Sequence, residues 1–333
     1  DETTLHIDET IPVINEVNIS SNNLLNSNWA IVSDSISLVY VSSEGLYQPT
    51  AIILEDSIIS NANSNGTSWN GSYIVNEGNE EGPASFSISF SDTAGNYGIE
   101  ITETTDGSSI NIDNTSPLIS DIFEGAESQE RSYYNNSDTI TVYWTQSDEV
   151  SGIAKTYYAL GSNPNSTNIS GWTEGNGVNY GGWNGLNLIN DETYFSGAFV
   201  RDSAGNYSDT IWSDGVYIDT EIPVSGFIND GQWIIELDYT PDSTSLNYSW
   251  NDFSDNIGID YYELSIGTDN DTINILDWYK SDSMSMYTLT GLDLERDTLY
   301  YTYIRAVDSA NNYSNVVKTD GIYFDDSEPR VME

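Results

Sequence analysis

The chain has 333 residues, with 53 acidic side chains against 8 lysines and arginines, a formal net charge of −45 and no cysteine. That balance argues against nucleic acid and against anionic membrane surfaces, both of which are held through Lys and Arg, and it removes disulfide staples and thiol chemistry. Hydrophobic residues still make up 38% and aromatics 12%, enough apolar surface for packed cores, which sets the chain apart from disordered acidic tails.

Taken in order, the elements are almost all strands. Short runs rich in aromatic and β-branched residues alternate with Asn/Gly/Ser/Asp clusters typical of turns, and no segment carries a capped helical period. Leu5–Ile7 opens the chain as an isolated strand. Strands are then expected over Val13–Ile19, Ser35–Val41, Ala51–Leu54, Ser68–Val75, Ser85–Ser91, Ile99–Thr102 and Ser109–Ile112. Thr139–Trp144 and Leu299–Ile304 are the clearest of the later ones. No apolar run approaches the roughly 20 residues that span a bilayer. No basic-then-apolar leader is present, so an export signal or anchor is expected outside these residues.

The chain also repeats itself. Arg201-Asp-Ser-Ala-Gly-Asn-Tyr-Ser208, with Ser213-Asp-Gly-Val-Tyr-Ile-Asp219 behind it, returns as Val307-Asp-Ser-Ala-Asn-Asn-Tyr-Ser314 and Thr319-Asp-Gly-Ile-Tyr-Phe-Asp325. An earlier copy runs from Ser91-Asp-Thr-Ala-Gly-Asn-Tyr-Gly98 to Thr105-Asp-Gly107, and Leu5–Pro12 matches the tail of a copy. Pro12, Pro117, Pro223 and Pro329 mark a period of about 106 residues, which predicts a tandem array of domain-sized units. The expected division is 1–12 as the last strand and linker of a preceding repeat, followed by repeats over 13–117, 118–223 and 224–333. The short linkers ending in proline favour extended backbone and an elongated array.

The second and third repeats match most closely. Trp144 and Trp250, Gly161 and Gly267, Leu186 and Leu292, and Tyr194 and Tyr300 stand at one constant offset. The two Trp are expected in the core. Tyr194 and Tyr300 are expected to start the sixth strand of a sandwich, with the hydroxyl bonded to nearby backbone. On these motifs the second and third repeats resemble the fibronectin type III-like or immunoglobulin-like repeats of very large prokaryotic cell-surface proteins. The first, through Val41-Ser-Ser-Glu-Gly-Leu46, Glu81-Gly-Pro83 and Asp92-Thr-Ala-Gly-Asn96, resembles their bacterial Ig-like cousins. The resemblance implies three tandem Ig-like/FnIII-like β-sandwiches, export to the cell surface, and a role as adhesin, surface-layer or spacer segment.

Catalysis is not expected. His6 is the only histidine, and no nucleophile–histidine set, phosphate loop or zinc spacing is present. The acids are more informative. In a sandwich of this topology the loop between strands six and seven, the loop between strands two and three and the incoming linker share one end. This gathers Asp8, Glu44 and Asp92; then Asp113, Asp148, Glu149 and Asp202; then Asp219, Asp252, Asp255 and Asp308. Carboxylates crowded without bases favour a hard cation, and flexible oxygen-bearing loops favour Ca2+. Asp-x-Ala-Gly-Asn is equally good turn chemistry, with Asp capping its own backbone and Gly or Asn at positive φ, so both readings stand.

Two further features bear on partners. Trp172, Tyr180 and Trp183 are expected in loops of the second repeat, where they either stack on sugar rings or fold back over a sheet edge. Asn-x-Ser/Thr triplets are about as frequent as the composition alone produces. The expected function is a non-catalytic extracellular structural or adhesive segment, a calcium-stiffened rod whose partners are adjacent repeats of the same chain. The alternatives are a surface-layer or filament subunit packed against like subunits, and a glycan-binding accessory module.

Overall fold

The computed structural model describes residues 7–127, 129–233, 235–268, 273–282 and 285–327. Among these residues every regular element is a β-strand, and no helix is long and apolar enough to cross a membrane. Of the expected opening strand, Leu5 and His6 lie outside the described residues, and Ile7 is exposed coil. Packing divides the chain into two compact units. One takes in residues up to Phe123 with Val142–Gly181 and Ser196–Ser213; the other takes in Glu124–Thr141, Gly182–Phe195 and the chain from Asp214 onward.

In the first unit Ile14–Ser21, Ser35–Ser42, Ser68–Ile74 and Ser60–Ala62 lie side by side in one antiparallel sheet. Alternation decides which face is buried: Ile36, Leu38 and Tyr40 point into the core while their neighbours point away. A second layer comes from Thr50–Ile53, flanked by Asp56–Ile58 and Phe86–Ser89, and from Asn111–Ile112 between Trp29–Ala30 and Gly82–Pro83. Ile14, Val17, Leu38 and Tyr40 from one layer share a core with Ala51, Ile53, Ile88 and Ile112 from the other, the packing of a β-sandwich.

Most expected strands of this repeat are present with ends shifted by one or two residues. The segment Ile99–Thr102 is not a strand: Ile101 makes an isolated bridge to Ile88, and Ile99 is 84% exposed. Only one residue there faces the core, too few for a ladder. Gly98 also sits on the Phe90 ring so closely that a Cβ would stand 2.1 Å from it. The strand expected over Ser109–Ile112 shortens to Asn111–Ile112. Trp29–Ala30, Asp56–Ile58, Ser60–Ala62 and Gly82–Pro83 are additional strands, too short to carry a readable period. The same unit holds Ile153–Gly161 paired with Thr173–Gly175, and Gly197 and Ala198 paired with Trp212 and Ile211.

In the second unit Phe227–Asp230, Ser245–Asn251 and Met286–Thr290 form one sheet. Tyr239–Thr240, Ile322–Phe324, Leu299–Asp308, Ile259–Gly267 and Leu276–Asp282 follow one another in the other. Tyr248, Trp250 and Leu289 meet Leu264, Ile266, Tyr300 and Ile304 between them, a second sandwich core. The middle repeat follows the third in most of its strands, with Gln129–Glu130 an addition. Ile153–Gly161, Thr193–Asp202 and Val216–Ile218 precede Ile259–Gly267, Leu299–Asp308 and Ile322–Phe324 by about 106 residues each.

The anchors behave as the motifs predict. Trp144 and Trp250 are buried. The Ile189 N–H donates to the Tyr194 hydroxyl at 3.0 Å, and the Glu295 N–H donates to that of Tyr300 at 2.6 Å. Trp172 packs edge-on against Phe199 with ring centroids 4.8 Å apart. Tyr180 and Trp183 belong to a strand rather than a loop, at the two ends of Tyr180–Trp183.

Candidate metal centres at the linker strands

Each copy of the refrain builds a similar loop, in which the Asp carboxylate accepts both the N–H and the side-chain amide of the Asn four residues on. In the first, Asp92 Oδ1 accepts the N–H groups of Ala94, Gly95 and Asn96 at 2.7–2.9 Å, and Oδ2 accepts the Asn96 amide at 2.8 Å. Asp202 accepts from Gly205 and Asn206, and Asp308 from Ala310 and Asn312, in a similar arrangement. The turn needs a left-handed residue just before the Asn. Gly95 and Gly205 provide it at φ 97° and 116°, and Asn311 takes it at φ 68°, as a short polar side chain can.

The Asn of the refrain has a second task. The Asn96, Asn206 and Asn312 amides also donate to the backbone carbonyls of Asp8, Asp113 and Asp219 at 3.0, 2.9 and 2.9 Å. Each loop is thereby clipped to the linker segment that enters its repeat, which carries the linker Asp to the loop. By sequence these Asn are turn residues; their fixed place four residues after the refrain Asp is the one signal of the second bond.

The clip, the refrain loop and the loop between strands two and three bring the expected acids into three groups. Asp8, Glu44 and Asp92 form one, Asp113, Asp148 and Asp202 the next, and Asp219, Asp255 and Asp308 the third; within each, one carboxylate oxygen per residue lies within 4.8 Å of the others. The exposed Glu149 and Asp252 stand outside these groups. Asp148 is turned inward by accepting the N–H groups of Ser151 and Gly152, and Asp255 by accepting that of Ile257.

Burial differs among the groups. Asp8 is exposed, whereas Asp113 and Asp219 are both 0% exposed. Asp113 accepts the Thr115 N–H through Oδ1, and Asp219 accepts the Glu221 N–H and the Asn256 amide in the same way. The Oδ2 of each is buried with no hydrogen-bond partner. Burial pushes the Asp113 carboxyl above its usual range; the Ser151 hydroxyl and the Thr115 N–H oppose this in part, and the nearby Asp148 and Glu81 carboxylates add to it. Burial likewise raises Asp202 and Asp255, assisted by Asp113 for the former and by Asp308 and Asp219 for the latter. Glu44 rises from desolvation and from Asp8 and Asp92. Two acids beside these groups were not anticipated: Glu81, which accepts the Thr115 hydroxyl, and Asp191, bonded to the Asn256 amide.

The arrangement presents only oxygen ligands, several of them anionic, with one desolvated lone-pair site in each buried group. A hard divalent cation satisfies such a set.

No family model matches the sequence, and no curated protein does. Among solved structures, the FN1–FN3 domains of chicken CNTN1 align with 93% of this chain and 99% of their own at 12% identity and a TM-score of 0.40. A titin domain segment aligns with 95% of this chain and 99% of its own at 11% identity and a TM-score of 0.39. A bacterial ice-binding adhesin, described in terms of host cell surface retention, aligns with 94% of this chain and 98% of its own at 17% identity and a TM-score of 0.43. The sandwich assignment rests on the sheets and cores described above.

Proposed function

We propose that the chain is a non-catalytic structural segment of an extracellular cell-surface protein, built of repeats over 13–117, 118–223 and 224–333. Calcium at the linker groups holds each repeat to the one before it. The observation that carries this reading is the pair of buried, unpartnered oxygens, Asp113 Oδ2 and Asp219 Oδ2, each in a group with two further aspartates. An ionised carboxylate with an unfilled lone pair in a desolvated site is destabilising, and a bound cation converts it into an attraction. The linker peptide, held already by the Asn clip, then becomes part of a metal site shared with two loops of the next repeat. The charge of −45 supports the same setting, because an external calcium supply offsets self-repulsion. Trp172 against Phe199 supports a structural use of that aromatic rather than a free sugar platform.

Calorimetric titration and thermal unfolding of the full chain, with calcium and with a chelator, test the proposal. Extracellular modules hold calcium with dissociation constants of about 10⁻⁴–10⁻³ M. About 10 mM calcium should therefore stabilise by about 1–3 kcal/mol per site. The D113N and D219N variants should each bind one calcium fewer than wild type and unfold at higher temperature than wild type in chelator. Calcium-independent melting of the wild type would overturn the proposal.

A further inference from the structure

We infer that the third repeat holds a divalent hard cation of calcium type between Asp230, Glu236 and Asp320, a set sharing no residue with the linker groups. One carboxylate oxygen of each lies within 4.8 Å of the others. Asp230 ends the strand Phe227–Asp230 and is 0% exposed, and neither of its carboxylate oxygens has a hydrogen-bond partner. The Thr319 hydroxyl and the Gly321 N–H face it and only partly offset the burial.

The loop that follows is shaped to complete this set. The Leu237 N–H donates to the Asp230 carbonyl at 2.7 Å, and Glu236 Oε1 accepts the Asp230 N–H at 3.2 Å. The loop therefore folds back and returns Glu236 to the strand end. Gly231 makes this possible: its φ is 140°, and a Cβ there would stand 2.2 Å from the Ile235 carbonyl. Asp320 arrives from the Asp-Gly step of the refrain, so two chain segments far apart in sequence deliver three carboxylates to one point.

The other repeats show what this position does under different partners. In the first, the refrain acid is Asp106, which accepts the Asn18 amide at 2.5 Å and the Ser108 N–H at 3.0 Å. Ser108 and Asn18 draw its pKa down to about 2. That carboxylate is satisfied by donors and needs no cation. In the middle repeat Glu124, Glu130 and Asp214 take the matching positions, and Asp214 holds the Glu130 carboxyl above its usual range. Gly125 there repeats Gly231, at φ 144° with the Gln129 carbonyl 2.1 Å from a Cβ. In the middle and third repeats acids gather at these positions instead, and in the third the innermost, Asp230, is faced by the Thr319 hydroxyl and the Gly321 N–H.

The alternative occupant of this site is a proton on Asp230, and the experiment separates the two. Calcium alone is titrated into the full chain by calorimetry, and melting is followed in calcium and in chelator. The variants are D230N, D320N and the D113N/D219N pair. A cation site predicts that D230N and D320N each bind one calcium fewer than wild type. The D113N/D219N pair should keep the site removed by D320N, so that the linker sites and this one fail independently. D230N should also melt higher than wild type in chelator and gain less from calcium. Unchanged stoichiometry and an unchanged calcium-dependent gain in both D230N and D320N would overturn the inference in favour of the proton. Should D230N not fold, E236Q and D320N at exposed residues decide the same question.

Discussion

At the scale of single residues, Asp230 is the most strained chemically. Burial raises its carboxyl to about 7, with Glu236 and Asp320 adding repulsion. A folded-state pKa raised above the unfolded value of a carboxyl contributes stability that is complete below about 4. That contribution is lost as pH rises through about 7. Without metal, the second unit is therefore expected to melt at higher temperature near pH 5 than near pH 8, with the dependence weakened by calcium. Calorimetric melts across that range in chelator and in calcium check it. The tyrosines call for a separate measurement. Y194F and Y300F each remove the acceptor of one backbone N–H, a loss of about 1–3 kcal/mol, read as a shift in the denaturant midpoint with the slope unchanged.

At the scale of elements, the unit that matters is the refrain loop with its clipped linker segment. The Asn side chain bonds its own turn and the incoming backbone at once, so truncating it breaks both bonds. Asn312 is 9% exposed, whereas Asn96 is more open to water. N312A should therefore cost about 1–3 kcal/mol, because the buried Asp219 carbonyl loses its donor with no water to replace it. N96A should cost less. Urea unfolding of the two variants in chelator measures the difference, and equal losses would show that burial does not govern the clip. A second element-scale expectation concerns Gly161, where a Cβ would stand 1.8 Å from the Ser166 carbonyl. G161A must displace that turn and should destabilise the first unit by about 1–3 kcal/mol.

At the scale of the whole molecule, net charge dominates. With 53 acids against 8 bases, the metal-free chain repels itself, and monovalent salt should raise its melting temperature by screening. Calcium at a small fraction of that ionic strength should produce a larger rise, because it occupies sites instead of screening a field. Equal effects at equal ionic strength would mean that charge density alone controls stability.

The sequence by itself determined the all-β character, the period, the core tryptophans and tyrosine hydroxyl bonds, and which acids fall in which loops. Those depend on local patterning and on a topology that fixes which loops share an end. Ile99–Thr102 carries the pattern of a strand without being one for the same reason: apolar residues in alternation say nothing about whether a partner strand is within reach. Only the tertiary structure decided that Asp113, Asp219 and Asp230 are fully desolvated, that each keeps at least one unpartnered oxygen, and that Asn206 and Asn312 clip the linkers. Desolvation and pairing belong to the surroundings that distant segments create, and a residue's own neighbours in sequence do not encode them. The Asp230 group shows this most plainly, because Asp230, Glu236 and Asp320 become one site only after a glycine turn and a returning refrain bring them together.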